Sequence, residues 1–406
     1  MKRPRWRPLF TGIDAEVLSQ RVASLASASH SATLNAIAEP GLALGTAGVC
    51  LLQAARVRAG DDDAASARGR LAELLEAVSD AIETRPLAPH LSSGLAGVAS
   101  ALHLVGVQVP SEARDLALVE DTLLDYLDEP GFSAEFLHGL AGIGMFFSMR
   151  LGFSDRARTG VARVLELLWR SAVPEAAGGI RWDNPRIAAL LDFSVHRNYE
   201  QMLGVAHGQG GIFGFVCMAL NQPCSSLDTA ASLYDGIVTS LQCSTQLTST
   251  LATDCTWCWG DGGLGVVALH ASRIRGPVFP ERQLRSLFGT FGAVCTARSY
   301  PDACLCHGAS GAAHLLHHAG LLLEDEELVS RARRLFWSLD SLRSSECGVG
   351  GFATVSVDQR VRREYADPGF LFGASGIGLA CQAAIDSTAP SWAPLLSFPS
   401  AHVYEI

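Results

Sequence analysis

The chain has 406 residues, 48% of them hydrophobic and 18% charged, which is ample for a large core and far from the composition of a disordered protein. Acidic residues outnumber basic ones by 41 to 31, a net charge of −10 with no basic stripe, and this excludes the clustered Lys and Arg that nucleic-acid phosphates require. The start, Met1-Lys2-Arg3-Pro4-Arg5-Trp6-Arg7, leads into no apolar h-region, and no run of 18 residues has the apolar character of a spanning helix, so the expectation is a cytoplasmic chain without a membrane segment. In that setting eleven cysteines, an odd number, favour free thiols or metal ligands over a disulfide framework.

A G-x-x-G step recurs seven times and each time opens an apolar run. The steps are Gly45/Gly48, Gly94/Gly97, Gly139/Gly142, Gly208/Gly211, Gly260/Gly263, Gly308/Gly311 and Gly373/Gly376, separated by 49, 45, 69, 52, 48 and 65 residues. A unit of about 45 to 50 residues has room for two ordinary helices and two loops, so each repeat reads as a helical hairpin. Seven hairpins predict fourteen helices in one domain, residues 1–406, with a repeat core at about 40–385.

Along the chain, Leu71, Leu74, Leu75, Val78 and Ile82 form an apolar stripe at spacings of three and four, the pattern of an outer helix with one face in solvent. The step at Gly94 opens Val98-Ala99-Ser100-Ala101-Leu102, small and apolar nearly all round, which reads as an inner helix buried on most sides. Outer stripes follow at Leu116, Leu118, Leu123, Leu124 and Leu127, at Val161, Val164, Leu165, Leu167 and Leu168, and at Leu328, Ala332, Leu335 and Leu339. The two long separations leave room for loops or a small insertion. Trp182-Asp183-Asn184-Pro185 and the stretch from Gly348 to Val361 read as loop or short hairpin. Ile377-Gly378-Leu379-Ala380 is the last inner run, and Pro-, Ala- and Ser-rich residues 387–400 form a tail. Alternating outer and inner helices that close on themselves make an all-α, double-layered α/α toroid with seven inner and seven outer helices. Its glycine turns share one rim, and closure accounts for the absence of polar capping repeats.

Four of the seven steps are preceded within two residues by histidine, cysteine or both. Cys258 stands in Trp257-Cys258-Trp259-Gly260, and Cys306 and His307 in Cys306-His307-Gly308. Two sulfurs and an imidazole nitrogen are donors that zinc prefers. Their separation of 48 residues excludes a local zinc finger but equals one repeat, so adjacent hairpins bring the three ligands together. A Cys₂His set leaves the fourth tetrahedral position open, the arrangement of catalytic zinc. His207, in Ala206-His207-Gly208, holds the equivalent position one repeat earlier and suits a general acid or base, since imidazole titrates near neutrality. Glu135, four residues before Gly139, suits a second acid–base or orienting group.

Plainer readings stand beside these. The cysteines also fit buried small hydrophobes, and Cys255 and Cys304 are second choices as ligands because they fall off the repeat register. His138 suits shape or supporting contacts, His314, His317 and His318 have the spacing of packing or surface positions, and Trp257 and Trp259 suit walls of the site.

The joint occurrence of W-C-x-G, C-H-G one repeat later, A-H-G one repeat before and seven G-x-x-G steps resembles the lanthionine synthetase C-like family, the LanC cyclases, over Gly45 to Gly376. The resemblance implies an α/α toroid that binds Zn2+ through Cys258, Cys306 and His307. It further implies lanthipeptide cyclisation, in which a cysteine thiol of a dehydrated precursor peptide adds to dehydroalanine or dehydrobutyrine and forms a thioether. In that chemistry His207 protonates the α-carbon, with Glu135 or water as accessory. The implied partners are a dehydratase and an exporter, through which the protein would reach the membrane only peripherally. Three positions depart from the family pattern: Trp259 replaces a Tyr or His, Asp254 a common Arg, and Gln209-Gly210 an Ile-Pro.

Within the same fold, addition of another thiol such as glutathione to a dehydrated protein is an alternative. A precursor-peptide scaffold without catalysis is another, and it requires the zinc triad to be dispensable. An α/α-barrel glycosidase needs paired carboxylates in a cleft, for which Glu135 and Asp261 make a poor pair.

Overall fold

A computed structural model describes residues 4–35, 39–60, 64–183, 203–222, 226–243, 255–344, 348–358, 361–399 and 404. Among these, fourteen α-helices follow one another: α1 (Ile13–Asn35), α2 (Thr46–Ala59), α3 (Ala64–Thr84), α4 (Leu95–Gln108), α5 (Ala117–Leu127), α6 (Leu140–Met149), α7 (Asp155–Ser171), α8 (Gln209–Leu220), α9 (Leu227–Cys243), α10 (Asp261–Ile274), α11 (Glu281–Ala297), α12 (Ala309–Leu323), α13 (Glu326–Ser338) and α14 (Ala374–Ile385). Every even-numbered helix starts at the residue after the first glycine of a step and is buried along most of its length. Each packs on the next even-numbered helix, and α14 returns to α2, closing the inner ring. The odd-numbered helices lie outside and bury one stripe each. Thus α3 buries Leu71, Leu74, Leu75 and Val78, and α13 buries Leu328, Ala332 and Leu335. Leu118 breaks the expected stripe and is 79% exposed, because the buried face of α5 runs through Glu120, Leu123 and Leu127.

The glycine steps have a steric cause. The first backbone N–H groups of a helix need acceptors, and none of the inner helices has a side-chain cap. Instead the preceding loop folds back and offers a carbonyl: Thr46 N–H donates to Glu39 O (2.8 Å), Leu95 to Ala88 O (2.7 Å), Leu140 to Ser133 O (2.9 Å) and Ala374 to Asp367 O (2.9 Å). The fold-back brings the loop so close that a Cβ on Gly94 would collide with the Ala88 carbonyl, and one on Gly97 with the Leu91 carbonyl. The requirement is space rather than unusual torsion, since the first glycines sit in extended backbone.

The same turns are stitched into a ring by their residues two before the first glycine, save that Trp257, three before Gly260, donates one of the links. Ala43 N–H donates to Ser92 O (2.8 Å), Ser92 to Leu137 O (2.9 Å), Leu137 to Ala206 O (3.1 Å) and Ala206 to Cys258 O (3.1 Å). Trp257 then donates to Cys306 O (3.0 Å), Cys306 to Leu371 O (2.9 Å) and Leu371 to Ala43 O (2.9 Å). The rim is therefore a closed circuit of seven backbone hydrogen bonds, with the side chains before each glycine held in fixed register.

The lumen is filled by the tail. A 3₁₀ turn at Ala393–Leu396 is wholly buried, Ser397 Oγ donates to Gly211 O (2.9 Å) on α8, and Trp257 Nε1 donates to Leu396 O (3.0 Å). Below it lie four buried histidines from α10 and α12: His270, His314, His317 and His318. His318 bridges the His314 imidazole (3.2 Å) and the Tyr404 hydroxyl (3.0 Å), and Trp6 packs on His317 with ring centroids 4.3 Å apart. These histidines are packing residues of the interior.

Burial lowers His270, His314 and His317 from 6.5 to about 3, so they are neutral in the fold and take up protons on unfolding. Above pH 6.5 neither state is protonated there and stability is unaffected; from 6.5 down to 3 the unfolded chain binds more protons and stability falls. At pH 5 each imidazole costs about 2 kcal/mol, and three together approach the whole stability of an ordinary domain. Cooperative loss of the far-UV circular dichroism signal is expected on titration from pH 7 to 4. A helical signal unchanged at pH 4 would contradict this.

Strand content is minor. Antiparallel pairs join β1 (Val173–Pro174) to β2 (Ile180–Arg181) and β3 (Thr354–Asp358) to β4 (Val361–Tyr365), the latter with Thr354 opposite Tyr365. The second hairpin begins in the expected stretch but extends past its end at Val361, since β4 runs on to Tyr365, and Trp182-Asp183 leaves the first as loop; Asn184 and Pro185 lie outside the described residues. No described helix is long and apolar enough to cross a membrane. Of the nine described cysteines, all free, only Cys243 is exposed.

Candidate active site

The position of a residue before its glycine sets what it does, although four residues before the glycine only four of the seven turns carry a side chain, Gly41, Gly204 and Gly369 standing there in the others. Four residues before, the side chain accepts the N–H of the residue just before the glycine. His90 Nδ1 accepts from Ser93 (3.4 Å), Glu135 Oε1 from His138, Thr256 Oγ1 from Trp259 (3.2 Å) and Cys304 Sγ from His307 (3.5 Å). Cys304 thus fills a turn-capping position, as Thr256 does one repeat earlier.

Two residues before the glycine are the members of the hydrogen-bonded circuit, and in two adjacent repeats these are Cys258 and Cys306. Both are buried, and their side chains hydrogen-bond each other. That bond, together with burial, raises the Cys306 thiol well above its ordinary value, so Cys306 keeps its proton until a cation takes its place.

One residue before the glycine, rings line the rim. His138 stacks on His207 (centroids 5.6 Å, planes 2° apart), His207 lies 5.3 Å from Trp259, and His307 lies 5.9 Å from Phe372. Trp259 is a wall beside His207, as expected. Trp257 is not a wall, because its indole turns inward to the tail.

Two carboxylates hold the two histidines. Glu135 is 1% exposed; its Oε2 accepts from Leu137 N–H (3.0 Å) and lies 3.0 Å from His207 Nδ1. Asp302 performs the corresponding task for His307, with Oδ2 3.2 Å from His307 Nε2 and accepting from Val355 N–H (3.0 Å), while Oδ1 accepts from Cys304 N–H (3.1 Å). Burial raises the Asp302 carboxyl, but the bonds from His307, Val355 and Cys304 outweigh it and hold the group below its usual range. Burial opposes a charged His307, yet the Cys304 sulfur and the Asp302 carboxylate prevail and raise its pKa.

The sequence reading did not find Asp302. Its signal was the recurrence of Asp six residues before a glycine, at Asp302 and Asp367, each of which accepts the N–H two residues on (Cys304, 3.1 Å; Gly369, 2.7 Å). Asp254 shares that register but lies outside the described residues.

Donor groups therefore gather at two places. Asp302, Cys304 and His307 have ligand atoms within 4.8 Å of one another, as do Glu135, His138 and His207, and Cys258 and Cys306 are paired beside the former. The donor types, thiols and an imidazole with a carboxylate to orient the ring, fit zinc, but of the three expected ligands the structure pairs only Cys258 with Cys306, while His307 gathers with Asp302 and Cys304. Glu135 fits a metal less well, since backbone N–H groups and His207 already occupy both of its oxygens.

The sequence matches the family described as "Lanthionine synthetase C-like protein" over residues 36–397. No curated protein matches it. Among solved structures, one titled "Nisin cyclase" is similar over 95% of this chain and 98% of that chain, with a TM-score of 0.67 and 15% identity, a likeness that establishes a common fold. With the toroid complete and the family pattern spanning nearly all of it, the chain belongs to the lanthionine synthetase C-like family.

Proposed function

We propose that the protein is a zinc-dependent lanthipeptide cyclase, acting as one domain, that adds cysteine thiols of a dehydrated precursor peptide to dehydroalanine or dehydrobutyrine. The observation that carries this reading is the contact of the Cys258 and Cys306 thiols, one repeat from a carboxylate-held imidazole. Cys258, Cys306 and His307 would hold the metal. Zinc bound there supplies a lowered pKa to an incoming thiol, giving a nucleophile at neutral pH.

The chain's own residues do the rest. Asp302 engages His307 Nε2 and so orients the ring toward the metal it would hold. Glu135 engages His207 Nδ1 and leaves Nε2 free to deliver a proton to the α-carbon once the sulfur has added. Both carboxylates are tied to backbone N–H groups, so each imidazole is oriented by a group that is itself fixed in place. The partners of this reaction are a dehydratase that prepares the peptide and an exporter that removes it. We place the reaction in the cytoplasm, at the membrane only through such a complex.

The test is incubation with a dehydrated, cysteine-containing peptide, with and without glutathione, followed by thiol alkylation and mass spectrometry. Alkylatable cysteine should disappear with no change in peptide mass. A gain of glutathione would instead establish addition of an external thiol, and an unchanged peptide would leave the scaffold.

A further inference from the structure

We propose that Tyr365 is a catalytic residue of this addition, donating a hydrogen bond to the carbonyl oxygen on which negative charge develops. The inference rests on the cyclase reading.

Tyr365 closes β4, opposite Thr354 of β3, and residues directly opposite in an antiparallel pair project to the same face. Thr354 fixes which face that is: its side chain is buried and donates to Phe372 O at 2.6 Å, on the rim turn whose ring neighbours His307. The next residue, Val355, donates its N–H to Asp302 Oδ2, the oxygen that also meets His307. Two bonds therefore seat the hairpin on the last two rim turns and aim the phenol over them. Tyr365 lies within electrostatic reach of Asp367, Cys304, Asp302 and Cys306, yet it is 39% exposed. Among the described residues its hydroxyl has no hydrogen-bond partner.

The order of repeats around the rim gives the role. His207 stands one repeat before Cys258, and Tyr365 leads into the repeat after Cys306 and His307, so the two groups flank the sulfur pair from opposite sides. When a peptide thiolate adds, its electron pair forms the C–S bond to Cβ and the Cα=Cβ π pair moves onto the carbonyl oxygen. That oxygen requires a donor that keeps its own proton; burial, followed by Asp367, raises the phenol to about 12. The pair then returns to Cα, which takes a proton from His207, and the proton released by the thiol restores the balance. One donor aimed at such an oxygen is worth on the order of 10²-fold or more in rate.

The experiment compares the intact chain with Tyr365→Phe, using a dehydrated peptide carrying cysteine, and measures kcat and KM for thiol loss, bound zinc and the melting temperature. The expected result is a fall in kcat of about 10²-fold with KM, zinc content and melting temperature unchanged. Equal kcat in the two proteins overturns the role of Tyr365 and leaves the cyclase reading standing, as does a variant that loses zinc or melts early, for then the residue is structural. If the intact chain itself leaves the thiols untouched, the cyclase reading falls and this role with it.

Discussion

Cys306→Ala is expected to empty the metal centre and reduce thioether formation to the uncatalysed rate while leaving the toroid intact. The backbone of residue 306 donates to Leu371 O and accepts from Trp257 N–H, and neither bond involves the side chain. Alanine already occupies the equivalent rim position at Ala43 and Ala206, so the circuit accepts it without rearrangement. The metal should not accept it. Substitution of groups that merely support a ligand costs about 10- to 100-fold in affinity, and removal of a ligand should exceed that. Metal analysis after gel filtration, with a melting curve beside it, checks both halves: a variant that melts like the intact chain but retains zinc and activity would show that Cys306 is not a ligand.

His207→Ala should separate chemistry from metal binding. The position before the glycine is occupied in other repeats by Leu44, Ser93, Trp259 and Phe372, so the turn tolerates many side chains and the fold should survive. Zinc content is expected to equal that of the intact chain, while cyclisation falls by about 10²- to 10⁴-fold, the usual worth of a positioned acid. Run in heavy water, the intact chain should place deuterium at the α-carbon in one configuration. The variant, protonated from solvent, should give both. Unchanged rate and configuration would remove His207 from the proton-delivery step.

The fold was legible in the sequence because its cause is local and repeated. The loop that caps an inner helix with its own carbonyl crowds out a Cβ at two positions three residues apart, so Gly94 and Gly97, like Gly373 and Gly376, are forced by geometry that recurs from turn to turn among the described residues. The stripes of the outer helices were legible for the same reason. Leu118 misled because leucine spacing alone gives no phase; the buried face of α5 is set by Glu120, which accepts from Arg150 Nε (2.7 Å) and Ser154 Oγ (2.7 Å), partners a stripe does not display.

The candidate site was legible where its residues share the repeat register. Cys258, Cys306, His307 and His207 all stand one or two residues before a glycine, and the structure brings the two thiols together and sets Glu135 against His207. Asp302 was hidden by standing six residues before its glycine, where its carboxylate first serves a turn and only then reaches His307. Tyr365 was hidden more deeply. It belongs to no repeat, and what places it on the rim is the strand register with Thr354 together with the bond from Val355 to Asp302. Trp257 was misplaced because its partner, the carbonyl of Leu396, comes from a tail 139 residues away.

The most direct test of the account is the zinc content of the purified protein, measured by mass spectrometry of the metal against protein concentration, for the intact chain and for Cys258→Ala. The account predicts one zinc ion per intact chain and none in the variant, with both proteins eluting and melting alike. An intact chain that takes up no zinc from a buffered supply, or a variant that keeps it, would contradict the assignment of the paired thiols as a metal centre.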